Sequence, residues 1–232
     1  MYKLKDLPPG PKDIVEKILG EDHSSITKKR FNELSSELNR YSRTEREAAR
    51  CVYIHERSYA FYNSEWLDCM AEIFKGKTVL EVSSGRGLLA RLMKEKGIDW
   101  IATDEKGEDW EHVWNGSFSD VLKMDAVSAV KTIECDIVFG SWFPFNNEVD
   151  VQVAESALEK NITFVFVGEP LGGCTGSKKL WDHSIGNSHA LLEPRWDIIE
   201  MFKDREDCQI AKWYGCSDRT YKLIPIEDDF YG

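Results

Sequence analysis

Between Val79 and Glu105 the chain reads VLEVSSGRGLLARLMKEKGIDWIATDE. Gly85 and Gly87 stand between a hydrophobic run and an amphipathic one, and Asp104 closes the next hydrophobic run. Glycines there let the backbone turn tightly and approach a ligand, and the helix that follows offers unpaired N–H groups at its start. An acid at the end of the second strand of such a unit accepts hydrogen bonds from the ribose of an adenosine-containing ligand. Glu81, inside the first hydrophobic run, would repel a pyrophosphate and suits an ammonium group or an ordered water. The dinucleotide pattern G-x-G-x-x-G is not met in full: Ala90 is tolerated at its last position, but Glu81 and Ser83 precede the turn.

A second candidate is DIVFGSWFPFNN, residues 136–147, in which a buried-looking strand ends in Ser141, Trp142, Phe143, Pro144 and Phe145. In a doubly wound sheet that strand end lies at the carboxyl edge, where such folds bind ligands. Its aromatic rings can stack on a planar molecule or enclose a cation, or they can simply pack. Glu169, closing FVFVGE beside the glycine-rich PLGGCTG, is a carboxylate placed to hold or deprotonate an amine, or to satisfy N–H groups of its own loop. Cys174 has no partnered base in the sequence and reads as a small packing residue. His55, His112, His183 and His189 share no spacing and read as structural or surface residues. Tyr59 and Phe61 either line a pocket or pack the N-terminal helices, and Asp218 reads as a turn residue or a guard at the acceptor's entrance.

The elements that must position these residues follow from periodicity. Residues 76–232 alternate short apolar runs with helices, the pattern of a doubly wound α/β sheet with parallel strands buried on both faces. KTVLEVS, DWIATD, CDIVFGS and ITFVFVGE read as strands. LLARLMKEKG and VDVQVAESALEKN read as helices, and FSDVLKMDAVSAVKTI as mixed. KKLWDHSIGNSHALLE reads as a helix, and WDIIEMFKD and DRTYKLIPI as closing strands, the last antiparallel. Residues 1–75 read as a helical extension that packs on or caps the site: LPPGP as an irregular lead-in, KDIVEKILG as a helix, one helix from about Ser25 to Arg50 capped by Ser24 or Ser25, and NSEWLDCMAEIFKG as a helix capped by Asn63 or Ser64.

With strand, glycine turn, helix and terminal acid in this order, the sequence resembles the class I S-adenosylmethionine-dependent methyltransferases. Their first motif reads hydrophobic, hydrophobic, Glu or Asp, hydrophobic, Gly, small, Gly, x, Gly, with Ser83 standing here for the first glycine. The resemblance implies a Rossmann-like fold and S-adenosylmethionine as cofactor. It places Glu81, Ser83, Gly85, Gly87, Asp104 and Glu105 around that cofactor, with Asp125 and Ala126 of KMDAV at its adenine. CDIVFGSWFPF fits the fourth motif of the amino-group enzymes, which holds the acceptor nitrogen. Pro144 and Phe145 match it, and the hydrogen-bonding position falls between Ser141 and Trp142. SWFPF, FVFVGEPLGGCTGS and the GCSDRTYKL region together resemble a methyltransferase-like family with an SWPPY-type fourth motif and a GE…GGCTG loop, over roughly residues 53–226. The implied catalytic set is Ser141, Trp142, Phe145 and Glu169.

Composition bounds these readings. The chain has 232 residues, 42% of them hydrophobic and 12% aromatic, with a net charge of −11. It is too apolar for disorder, it lacks an apolar stretch long enough to span a membrane, and its N-terminus lacks the apolar centre of a signal peptide, so a cytoplasmic location is expected. Residues 1–50 hold 11 basic against 9 acidic side chains, leaving 19 against 32 in the rest. An acidic catalytic domain disfavours a polyanionic substrate, and the basic run from Lys28 to Arg50 reads as a solvated helix face. The fourth-motif resemblance implies an amine acceptor, and with this charge balance the expected one is a small-molecule or nucleobase-like amine. The six cysteines show neither zinc-ligand nor disulfide-framework spacing; they are read as reduced thiols, mostly core, with no metal expected. The alternatives are an S-adenosylmethionine-binding protein with a regulatory or different role, and a dinucleotide-dependent oxidoreductase, which Glu81 disfavours.

Overall fold

The computed structural model describes residues 2–106, 116–184, 195–213 and 216–226. A seven-stranded sheet organises the chain: β1 (Thr78–Val82), β2 (Asp99–Asp104), β3 (Val121–Lys123), β4 (Ile137–Ser141), β5 (Thr163–Gly168), β6 (Trp196–Glu200) and β7 (Arg219–Pro225). The spatial order is β3-β2-β1-β4-β5-β7-β6. The first five strands are parallel, and β7 runs antiparallel between β5 and β6. The strand order reverses between β1 and β4, which makes their carboxyl ends the topological switch point where doubly wound sheets open a crevice.

Burial explains the strands. Val79, Leu80 and Val82 of β1, Val138 and Phe139 of β4 and Phe164 to Val167 of β5 are all buried, because helices cover both faces. The helices are α1 (Pro9–Gly20), α2 (Lys28–Ser36), α3 (Arg43–Glu56), α4 (Ser64–Phe74), α5 (Leu88–Glu95), α6 (Ala126–Thr132), α7 (Val149–Glu159) and α8 (Lys178–Asp182). One core cluster sets Trp66, Leu67, Met70 and Phe74 of α4 and Leu89, Leu92 and Met93 of α5 against one sheet face. The other sets Ala129 and Val130 of α6 and Val153, Ala154 and Ala157 of α7 against the opposite face. A third cluster is built by α1 to α3 around Phe31 and Tyr53, and it takes in Phe61, Ala211 and Trp213. Among the described residues no helix is long and apolar enough to cross a membrane.

Five expectations are corrected. The stretch from Ser25 to Arg50 is broken by a 3-10 turn at Glu37–Arg40 and restarts at Ser42. Ser42 caps α3 with a reciprocal bond to Glu45. Thr27 caps α2, since Ser24 and Ser25 both bond to Asp22. The prolines of LPPGP open α1, with Pro8 at the cap and Pro9 first in the helix; in that turn a missing N–H leaves no bond unmade. Cys69 on α4 is joined to Cys208, 139 residues away, while Cys51 and Cys174 are exposed. The cysteines are therefore neither all reduced nor mostly core, because a partner so distant in sequence leaves no trace in spacing. The helix read from Lys178 ends at Asp182; the part of that run beyond Ser184, with His189, lies outside the described residues, as does His112.

Candidate functional site

At the switch point the carboxyl ends of β1, β2 and β4 open into a cleft of about 500 Å³. Its floor begins with Glu81, which is 2% exposed and accepts a hydrogen bond from the Trp100 indole at 2.7 Å. Burial pushes its carboxyl up to about 8, and the nearby Asp104 charge adds to the rise against the Trp100 bond. Among the described residues no Lys or Arg forms an ion pair with it. The cleft therefore carries a mostly protonated acid at neutral pH, and a bound cation would draw it into the ionised form.

The loop after β1 owes its shape to alternating left-handed residues, Ser83 at φ 53°, Gly85 at 57° and Gly87 at 74°. Thr103 carbonyl accepts from Ser84 N–H at 3.0 Å, and Asp104 Oδ2 accepts from Gly85 N–H at 3.0 Å, so the end of β2 fixes the loop. A Cβ at Gly85 would meet nothing within 4 Å, because that position faces open space. A Cβ at Gly87 would lie 2.9 Å from Val121 Cγ2. Gly87 does not border the cleft: it caps α5 and lets the loop press on β3. Ser84 Oγ is buried, has no hydrogen-bond partner among the described residues and belongs to a residue lining the cleft. Native structures seldom leave such an atom unmatched.

Asp104 is buried, Glu105 beside it is exposed, and both border the cleft. Asp104 Oδ1 also accepts from Lys106 N–H at 3.0 Å. Asp125 and Ala126 border it too. Asp125 caps α6 by accepting from Ser128 N–H at 2.9 Å, and that bonding holds its carboxyl below the usual range.

The SWFPF turn divides its residues among several tasks. Ser141 and Trp142 border the cleft, and Ser141 Oγ accepts from the Tyr62 hydroxyl at 2.9 Å. Trp142 sits at φ 54°, a conformation that a bulky side chain seldom adopts. Its indole stacks with Tyr59 at 5.6 Å between centroids, and the Arg50 guanidinium lies over it at 4.8 Å. Phe143 is core, packed against Gly140 where a Cβ would clash with its ring. Phe145 is 59% exposed and does not border the cleft.

Glu169 also lies outside the cleft lining. Its Oε2 accepts from Cys174 N–H and Sγ at 2.8 and 2.7 Å, and its Oε1 from Ser217 N–H at 3.1 Å. Burial opposes its charge, but the bonds from Cys174 and Ser217 prevail and hold the carboxyl below its ordinary value. A low-lying, already bonded carboxylate is a weak base; its bonding is that of a loop organiser. The Cys174 thiol is pushed up to about 11 by burial and by Glu169, so it is not a ready nucleophile.

Residues that the sequence reading passed over come from the N-terminal segment. Ile54, Arg57, Ser58 and Tyr62 line the cleft together with Tyr59, whereas Phe61 is buried and stacked on Phe31. The aromatic run YAFY just before α4 was the available signal. Arg86 ties this segment to the glycine loop, donating to the His55 carbonyl at 3.1 Å and the Gly116 carbonyl at 2.6 Å. His55 is mostly buried, and His183 lies against Trp196.

No family model matches the sequence, and no curated protein matches it. Solved structures to which the chain is similar include magnesium protoporphyrin IX methyltransferase from Synechocystis PCC 6803 with bound S-adenosylmethionine, at 12% identity over 69% of this chain and 78% of that one, with a TM-score of 0.43. A glycopeptide N-methyltransferase complexed with S-adenosylhomocysteine is 10% identical over 70% and 89%, with a TM-score of 0.45. TehB from Haemophilus influenzae is 14% identical over 77% and 67%, with a TM-score of 0.41.

Proposed function

We propose that the protein transfers a methyl group from S-adenosylmethionine to an amine on a small-molecule or nucleobase-like acceptor. The observation that carries this reading is one cleft, at the β1/β4 switch point, shared by an acid with no ion-pair partner among the described residues, a glycine loop and the Ser141–Trp142 turn. Glu81 matches an ammonium, the unpartnered Ser84 hydroxyl and open-faced Gly85 suit a close-lying chain, and Asp104 with Glu105 suits ribose hydroxyls. Asp125 and Ala126 would border the base. Bound there, the cofactor supplies a methyl carbon made electrophilic by sulfonium.

The chain's own contribution is alignment and exclusion of water, since displacement at that carbon needs mainly an oriented nucleophile in a dry site. Ser141, held by Tyr62, can accept a hydrogen bond from an acceptor N–H, and the Trp142 and Tyr59 rings offer a planar acceptor a stacking surface. Cation–π attraction by the same rings stabilises positive charge nearby. The acidic balance of residues 51–232 is the reason for preferring a small acceptor to nucleic acid.

Calorimetric titration with S-adenosylmethionine, S-adenosylhomocysteine and NAD tests the reading. We expect micromolar binding of the first two, lost at least tenfold in Asp104→Asn, which keeps the side chain's volume and an acceptor for Gly85 N–H. Labelled methyl transfer to an amine panel follows. Tight NAD binding would overturn the reading in favour of an oxidoreductase, and cofactor binding without transfer to any amine would turn it to a regulatory role.

A further inference from the structure

Behind the Trp142 wall of the cleft lies a group of polar atoms that the scheme above does not use. Arg50 of α3 presents Nε and Nη2 buried from solvent and, among the described residues, without a hydrogen-bond partner. These two N–H groups form the side-on edge of a guanidinium, the edge that grips a carboxylate or phosphate with two parallel bonds. Asp218, 3% exposed at the foot of β7, and the Trp142 indole nitrogen are both buried and face one another, the indole N–H acting on the Asp218 carboxyl as a hydrogen-bond donor. The Arg50 charge acts on Asp218 and on Glu169, yet among the described residues neither carboxylate is within ion-pair distance of it. The unmatched Arg50 edge from α3 thus lies beside the Trp142–Asp218 pair from the β4 turn and the start of β7. An unmatched buried donor of this kind is destabilising by roughly 1–3 kcal/mol, and Arg50 carries two on one edge.

The donors decide what fits. The guanidinium edge offers two N–H groups, with two carboxylates nearby. Glu169 is already engaged by Cys174 and Ser217. Asp218 is pushed up to about 7 by burial and then by Glu169, so near neutrality much of it is protonated and able to donate as well. Resting on the methyl-transfer reading, we propose that Arg50, Trp142 and Asp218 form a subsite for an oxyanion, carboxylate or phosphate, carried by the amine acceptor, with Trp142 as the partition between that subsite and the cleft. The acceptor would then span from Ser141, where its nitrogen is held, past the indole to the Arg50 edge.

The test titrates three probes into the full chain saturated with S-adenosylhomocysteine: benzylamine, 4-(aminomethyl)benzoate and 4-(aminomethyl)phenyl phosphate. We expect the two oxyanion probes to bind at least tenfold more tightly than benzylamine. Whichever of the two is tighter identifies the oxyanion as carboxylate or phosphate. Arg50→Gln should erase the preference while leaving the affinity for S-adenosylhomocysteine intact, and Arg50→Lys should restore only part of it, because an ammonium cannot make the two-pronged grip. Equal binding of all three probes by the wild type, or an Arg50→Gln protein that keeps the preference, would overturn the subsite and leave the unmatched donors to ordered water. If S-adenosylhomocysteine does not bind the wild type, the cofactor reading fails separately; the same probe series without it still decides whether the oxyanion subsite exists.

Discussion

Glu81→Gln should give a protein that is more stable than the wild type and a poorer binder of a cationic cofactor. Burial raises the Glu81 carboxyl from an ordinary 4.5 to about 8, so the folded state keeps a proton that the unfolded chain releases. The stability that Glu81 contributes is intact below about pH 4.5, falls as pH rises, and is lost once the folded-state group ionises near pH 8. At pH 7 the fall has run over 7 − 4.5, or 2.5 units, which at about 1.4 kcal/mol per unit is about 3 kcal/mol. Glutamine does not titrate, and its carbonyl can keep the bond from Trp100. Urea unfolding of both proteins should therefore coincide near pH 4.5 and diverge by about 3 kcal/mol at pH 7, the variant being the more stable. Binding should show the converse. Wild-type affinity for S-adenosylmethionine should rise with pH up to about 8, with proton release seen as a buffer-dependent enthalpy, whereas the variant should bind weakly and without that dependence. A stability difference that does not change between pH 5 and 8, or a variant weaker than the wild type at pH 7, would refute the buried-proton argument.

Two backbone predictions accompany it. Ser83→Gly removes a Cβ from a left-handed residue at φ 53°; the relief of roughly 1–2 kcal/mol is partly offset by glycine's larger unfolded-state freedom, so a melting temperature about 2 °C higher is expected by calorimetry. Gly87→Ala adds a Cβ at φ 74°, 2.9 Å from Val121 Cγ2 and 3.2 Å from Ser119 Cβ, and should lower stability by about 2 kcal/mol or more in urea unfolding. A neutral Gly87→Ala would mean that the loop after β1 does not press on β3.

Ser83 illustrates how sequence and structure divide the problem. As a letter it is a small residue where the resembled motif has glycine; only the fold reveals that it takes the glycine's left-handed backbone and carries the strain. Asp104 and Asp125 were legible because a strand end and a helix start are local events, set by hydrophobic period and capping chemistry. Glu169 was legible as a carboxylate at a strand end. Its choice between base and loop organiser depended on Ser217, 48 residues on, whose N–H it accepts. The break of Ser25–Arg50 into α2 and α3 was hidden because both halves share one apolar period and the capping Ser42 looks like any surface serine.

The sequence by itself determined the order of strands and helices, the parallel sheet that this order implies, and the glycine loop and acids at its carboxyl edge. These follow from patterns a few residues long, where each side chain is judged against its immediate neighbours. The tertiary structure decided what lies between elements: the Cys69–Cys208 bond, Tyr62 reaching Ser141, Arg86 joining α3 to the glycine loop, and Arg50 lying over Trp142. Those pairings are separated by some 30 to 139 residues, and their energies exist only once the chain has closed on itself. No local pattern encodes them, because each partner's isolated neighbourhood is satisfied equally well without the other.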